Sequence, residues 1–215
     1  MQQEDIKHIE ALNDIRSMMR KSSRFLSLSG LSGIFAGIYA LVGYYVALEK
    51  LRTESLAVQN EVDYGYRSQG WFESFSFYIL LAGLVLGLSL ITAYLFSARK
   101  AKKNNSKLFD HTAWQLMWQM AVPLTAGGIL SFALLINGHI AFIAPTMLCF
   151  YGAAIFSASR MTYDDVKYLG ISEIALGIIS AFNLGYGLLF WALGFGVLHI
   201  IYGALMWWKY ERVKN

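Results

Sequence analysis

The chain has 215 residues, of which 56% are hydrophobic and only 15% charged, against roughly 25% charged in soluble domains. That balance, with a mean hydropathy of +0.44, excludes an ordinary water-soluble globule; the apolar residues lie in long runs bounded by charge clusters, as membrane-spanning helices do. The net charge of +4 is spread over short basic groups beside those runs, a pattern that fits topology determinants and not a nucleic-acid partner.

Residues 1–24 read as a cytoplasmic amphipathic helix. Ile9, Leu12, Ile15 and Met19 share one face, Glu4, Asp5 and Glu10 come early, and Arg16, Arg20, Lys21 and Arg24 come late, as the helix dipole favours. Such a stripe suits the inner leaflet of the lipid bilayer or the groove of a cytoplasmic protein partner. The segment lacks the apolar core of a signal peptide, so the mature chain is expected to begin at Met1. The fold class expected is all-α: a polytopic transmembrane bundle over 25–210 with six spans at 26–48, 75–96, 114–136, 139–157, 168–182 and 186–208. Most approach the ~20 residues that cross a hydrocarbon core, and the fifth is short. Residues 211–215 form a tail.

The connection between the first two spans reads as a polar loop holding Glu54, Glu61, Asp63 and Glu73, followed by Trp71 and Phe72 at an interface. Basic groups at 16–24, 99–107, 160–167 and 209–214 all fall on one side of six alternating spans. The positive-inside rule therefore puts both termini in the cytoplasm and the acidic loop outside. Trp114, Trp118, Trp207, Trp208 and Tyr210 fall at inner boundaries, as an aromatic belt would. Asn137-Gly138 and Asn183 to Gly185 read as tight turns, and Thr162-Tyr163-Asp164-Asp165 has capping-box spacing that predicts a helix start entering the membrane near Tyr168.

Gly128-Ile129-Leu130-Ser131 in the third span matches Gly177-Ile178-Ile179-Ser180 in the fifth. Tyr151-Gly152-Ala153 in the fourth matches Tyr202-Gly203-Ala204 in the sixth, so two helical hairpins look duplicated. Ser29, Gly33 and Gly37, and then Gly83 and Gly87, are spaced for close helix packing, within the bundle or in a homo-oligomer. Pro123 and Pro145 are expected to kink the third and fourth spans.

Chemistry has few places to live. Glu173 in the fifth span and His199 in the sixth lie in the same half of the membrane, where each ionisable group costs a few kcal/mol unless paired or hydrated. Two readings stand. The residues form a polar pair that takes up or relays a proton, or Glu173 snorkels to the interface while His199 bonds a neighbouring carbonyl or hydroxyl. No metal site is expected, because only His111 and His199 share a side and ligand spacing is missing. No cofactor is expected either. Cys149 is the single cysteine, Gly194 and Gly196 give no more than a GxG inside an apolar run, and hydrolase, zinc-protease, nucleotide-loop and dinucleotide signatures are missing, so an enzyme is the weakest class.

The segments Arg24-Phe25-Leu26-Ser27-Leu28-Ser29-Gly30-Leu31-Ser32-Gly33 and Gly185-Tyr186-Gly187-Leu188-Leu189-Phe190-Trp191-Ala192-Leu193-Gly194-Phe195-Gly196 resemble an uncharacterised family of bacterial six-span membrane proteins. The Gly-rich hairpins are also similar in texture to the acid-resistance HdeD type of membrane protein. The resemblance implies a bacterial inner-membrane home and carries no functional residues over. The residues as a whole point to a non-enzymatic module that senses a condition or interacts with a partner, reading out through the helix at residues 1–24 or through the basic inner loops. The alternative is a small-solute or ion transporter, proton-coupled through Glu173 and His199.

Overall fold

A computed structural model describes the backbone of residues 29–61, 70–103 and 108–212, and the side chains within those ranges except 55–61 and 70–75. The expected helix over 1–24, the side chains of Glu61, Trp71, Phe72 and Glu73, and Asp63 lie outside the described residues. Every regular element among the described residues is helical: α1 Gly30–Glu61, α2 Gly70–Lys103, α3 His111–Ile136, α4 Ile143–Ala158, α5 Val166–Ala181, and a last rod over Leu184–Tyr210. That last rod joins α6 Gly187–Trp191, a π-helical segment Ala192–Leu198 and α7 His199–Tyr210.

Among the described residues five helices are long and apolar enough to cross a membrane: those over Gly30–Glu54, Ser76–Lys103, His111–Ile136, Ile140–Met161 and Leu184–Tyr210. The apolar windows of α2 and α3 are only 6% buried, and Leu80, Ile129 and Ile136 are each about 70% exposed. Faces of that kind are untenable in water and ordinary in lipid, so this is the architecture of a membrane protein. α5 has 16 residues, about 24 Å at 1.5 Å per residue, and falls short of that length criterion.

Several boundaries differ from the sequence reading. The segment read as a polar loop from 49 to 74 is largely helix, because α1 continues to Glu61 and α2 begins at Gly70. Its extension is held by pairs one turn apart, Lys50–Glu54 at 3.4 Å and Arg52–Glu49 at 2.9 Å. Pro145 is the third residue of α4. It lies in the first turn, where its missing N–H removes no intrahelical bond, so the expected kink has no cause there. Pro123 does lie inside α3, where it deprives the Gln119 carbonyl of its usual donor. The capping box at Thr162 is not formed: α5 starts at Val166 with no side-chain cap from Asp165, and the Thr162 hydroxyl has no hydrogen-bond partner among the described residues. The turn at Asn137-Gly138 is present, with Gly138 at φ +77°.

Packing is built on two close helix contacts. In one, α1 lies on α7 and the π-helical segment; in the other, α5 lies on α4. A Cβ added at Gly203 would sit 2.6 Å from the Gly30 carbonyl and from the Ile34 nitrogen, and one at Gly37 would sit 2.5 Å from the Gly196 carbonyl. On the other side, a Cβ at Gly152 would sit 2.6 Å from the Gly170 carbonyl and 2.8 Å from the Ile174 nitrogen. Gly203 thus stands to Gly30 and Ile34 as Gly152 stands to Gly170 and Ile174. Gly33 also faces Gly203, at 3.2 Å from an added Cβ. Gly83 and Gly87 differ: among the described residues nothing lies within 4 Å of an added Cβ at either, so neither seats a described helix. α2 packs on α1 through larger groups, with Phe35 stacked on Phe96 at 5.6 Å and Tyr39 bonded to Thr92 at 3.2 Å.

One end of the bundle is tied by charge. Glu211, just past α7, accepts from the Gly30 amide at 2.8 Å, from Ser29 at 3.3 Å and from Lys100 of α2 at 3.0 Å. Asp165, just before α5, accepts from Lys209 at 2.6 Å and Tyr210 at 2.7 Å, and Tyr163 packs on Tyr210. The start of α1, the end of α2, the start of α5 and the end of α7 therefore meet.

Candidate functional site

The only ionisable side chain of the middle of α5 faces inwards. Val166, Leu169, Gly170, Glu173, Gly177 and Ser180 make the buried stripe of that helix, a period of three to four residues that keeps them on one face. Glu173 is midway along it and 0% exposed. That contradicts snorkelling, which requires a carboxylate at the surface. Space for it comes from Gly194 in the π-helical segment, where an added Cβ would sit 2.5 Å from Glu173 Oε2 and also overlap the Leu148 side chain.

His199, the first residue of α7, is brought beside it, with Nδ1 3.5 Å from Glu173 Oε1. Nδ1 lies closer, at 3.0 Å, to the Gly194 carbonyl. A carbonyl only accepts, so Nδ1 carries a proton and donates to it, which leaves Nε2 of the neutral ring as an acceptor. Tyr151 of α4 fills that role, its hydroxyl donating to Nε2 at 2.6 Å. Phe195 stacks over His199 at 6.0 Å and against Tyr151 at 4.8 Å, with Trp191 next in the row at 5.4 Å. A chain thus runs Tyr151 O–H to His199, and His199 N–H to Gly194, with the Glu173 carboxyl alongside.

The carboxyl is the anomaly. Among the described residues neither of its oxygens has a hydrogen-bond partner, and the 3.5 Å approach to Nδ1 is longer than the roughly 2.7–3.2 Å of a good N–H···O bond. Removing an unpaired carboxylate from water costs several kcal/mol, so the site is built around one group whose charge must be matched or absent. An imidazolium at His199 would match it. The chemistry available is proton exchange between a buried carboxyl and a buried imidazole, with the Tyr151 hydroxyl donating to the ring.

The sequence put Glu173 and His199 in the same half of the membrane, and the structure places them side by side. It did not single out Tyr151 as a site residue, although a tyrosine in mid-span, one of the residues of the repeated Tyr-Gly-Ala, is a signal of a polar group needing a partner. The π-helical segment had no such signal beyond Gly194 and Gly196; single π turns are frequent at functional sites because they re-aim side chains. His111 and His139 do not join the site, and no cluster of three or more metal-ligand side chains occurs among the described residues. Pro123, Gly83 and Gly87 lie elsewhere. Asp165, at the charged end, is held below the usual carboxylate range chiefly by its hydrogen bond from Lys209.

Comparison with protein-family models, with curated proteins and with solved structures gives no match for this chain, so the site is read from its geometry alone.

Proposed function

We propose that this chain is a proton-responsive sensing module of a bacterial cytoplasmic membrane, with Glu173 and His199 as its titrating pair and Tyr151 as the hydrogen-bond donor that orients His199. It has six spans, α5 being the short one, and both termini in the cytoplasm at the charged end that carries Lys100, Lys209 and Glu211. Its hairpins are duplicated, which the matching contacts of Gly203 and Gly152 support. The observation that carries the reading is the buried carboxyl of Glu173, without a hydrogen-bond partner among the described residues and 3.5 Å from an imidazole.

A route from cluster to readout is present in the covalent structure. His199 begins α7, and Glu211 follows its end and caps the first amide of α1, where residues 1–28 join the bundle. A proton gained or lost at Glu173 changes the demand on His199 and Gly194, hence the register of the π-helical segment and the position of α7. The Glu211 contacts then loosen or tighten, and residues 1–24 are released to or withheld from a cytoplasmic partner or the inner leaflet. The full burial of Glu173 favours sensing over the alternative of proton-coupled transport, which needs a water path past the site.

The test is trypsin cleavage at Arg16, Arg20, Lys21 and Arg24 of the full chain in mild detergent across pH 5–8, corrected with an unstructured substrate. Cleavage of the native chain should change with pH and that of Glu173→Gln and His199→Gln should not. Identical profiles for all three would remove the sensing reading.

A further inference from the structure

We infer that the cleft between the start of α3 and the end of α4 is a binding site for the headgroup of one anionic phospholipid, with the phosphodiester as the group recognised. The cleft holds about 430 Å³ and is lined by Trp114, Gln115, Trp118 and Gln119 of α3 and by Met161, in the turn that follows α4. That volume is within the roughly 300–1,000 Å³ of small-molecule sites and far exceeds what a single water needs. It opens on the outer wall of α3, whose apolar window is only 6% buried, so in a bilayer the molecule that meets it is a lipid. Trp114 and Trp118 are one turn apart and 65% and 67% exposed. Amphipathic indoles settle at headgroup level, which sets the cleft at the depth of a phosphate and its glycerol.

The polar groups of the cleft are chiefly donors. An indole N–H only donates, and Trp114 and Trp118 each supply one. The Ser157 hydroxyl donates to Gln119 Oε1 at 3.2 Å, which satisfies the amide oxygen from the α4 side and leaves the NH2 group to donate. Gln115, exposed and one turn before Gln119, adds a second amide. A ligand that answers these groups carries several oxygens without hydrogens of their own, as a phosphodiester and its neighbouring ester carbonyls do. The surrounding charge selects an anion. Arg160, exposed, directly precedes Met161, and the cleft begins in the first turn of α3, at the positive end of the helix dipole. Asp110, the acid at that end, is already taken by the Ala113 amide at 2.7 Å.

The experiment adds palmitoyl-oleoyl phosphatidylglycerol to the full chain in mild detergent and counts the lipids retained by native mass spectrometry. It involves no proton at Glu173, so its outcome is separate from that of the sensing reading. One phosphatidylglycerol should bind more tightly than any further one. Gln115→Leu combined with Gln119→Leu should weaken that first site by at least about tenfold, the worth of one hydrogen bond to a charged group. Gln119→Leu also removes the partner of Ser157, so Gln115→Leu alone, at an exposed position, should weaken the site with the contact between α3 and α4 intact. Arg160→Gln should reduce the preference for phosphatidylglycerol over phosphatidylcholine. A diacylglycerol with the same acyl chains, which lacks the phosphate, should not occupy the site. First-site affinity unchanged in both glutamine variants would overturn the inference. So would equal retention of the diacylglycerol, or equal binding of phosphatidylcholine and phosphatidylglycerol by the native chain.

Discussion

Gly203→Ala separates the packing account from the helix-propensity account of the same substitution. Alanine in place of glycine within a helix gains about 0.5–1 kcal/mol when its methyl meets nothing. At Gly203 the methyl would sit 2.6 Å from two backbone atoms of α1, where ordinary contact begins at 3.4 Å. Neither atom can rotate away, so α1 and α7 must separate by about 0.8 Å along the contact, a gap that already forfeits a quarter to a half of the dispersion well for the atoms it separates. Overpacking of this kind costs about 1–3 kcal/mol, which outweighs the propensity gain. Gly152→Ala should behave alike, since its methyl meets the Gly170 carbonyl at 2.6 Å. Gly83→Ala and Gly87→Ala, with nothing within 4 Å among the described residues, should be neutral or stabilising by a few tenths of a kcal/mol. Reversible unfolding in mixed micelles with increasing dodecyl sulfate fraction gives the four values on one scale. Gly203→Ala at or above native stability, or Gly83→Ala as damaging as Gly203→Ala, would refute the assignment of these contacts.

Glu211→Ala should cost about 1–2 kcal/mol, because it removes a carboxylate cap from the Gly30 amide and leaves the largely buried Lys100 without that partner; the same micelle titration measures it. Asp165, whose folded-state proton affinity is lowered chiefly by the Lys209 hydrogen bond, contributes stability that is present above its unfolded titration near 4 and is lost as pH falls through its lower folded value. Asp165→Asn should therefore flatten the acid limb of a stability profile below about pH 4 and leave the profile near neutrality unchanged in shape. Tyr151→Phe deletes the hydroxyl that donates to His199 Nε2 at 2.6 Å. It should cost about 1 kcal/mol and move the midpoint of a pH titration followed by Trp191 fluorescence without abolishing it.

The spans were legible because apolar runs of about 20 residues between charged clusters have few other uses. Their ends were less so. The stretch from Glu49 to Glu61 is polar and was read as loop, yet its charges alternate in sign one turn apart, the pattern of a helix continuing into water. Glu173 and His199 were found because depth can be counted along a helix. Which of them faces inwards depends on the neighbours of α5, and the sequence reading allowed a snorkelling Glu173 for that reason. Small-residue spacing tells that Gly83 and Gly87 share a face, but lipid and a helix are equally apolar, so it does not tell which of the two lies opposite. Thr162 and Asp165 have the spacing of a cap, and the tertiary contact from Lys209 and Tyr210 took the Asp165 carboxylate for another purpose.

The central claim is that Glu173 exchanges a proton inside the bundle, in company with His199. Infrared difference spectroscopy of the full chain in lipid, scanned over pH, observes that exchange as conversion of a carboxylic acid into a carboxylate. A single buried carboxyl should titrate in the native chain, vanish from the difference spectrum in Glu173→Gln, and shift its midpoint in His199→Gln. Difference spectra that are the same for the native chain and Glu173→Gln would contradict the account.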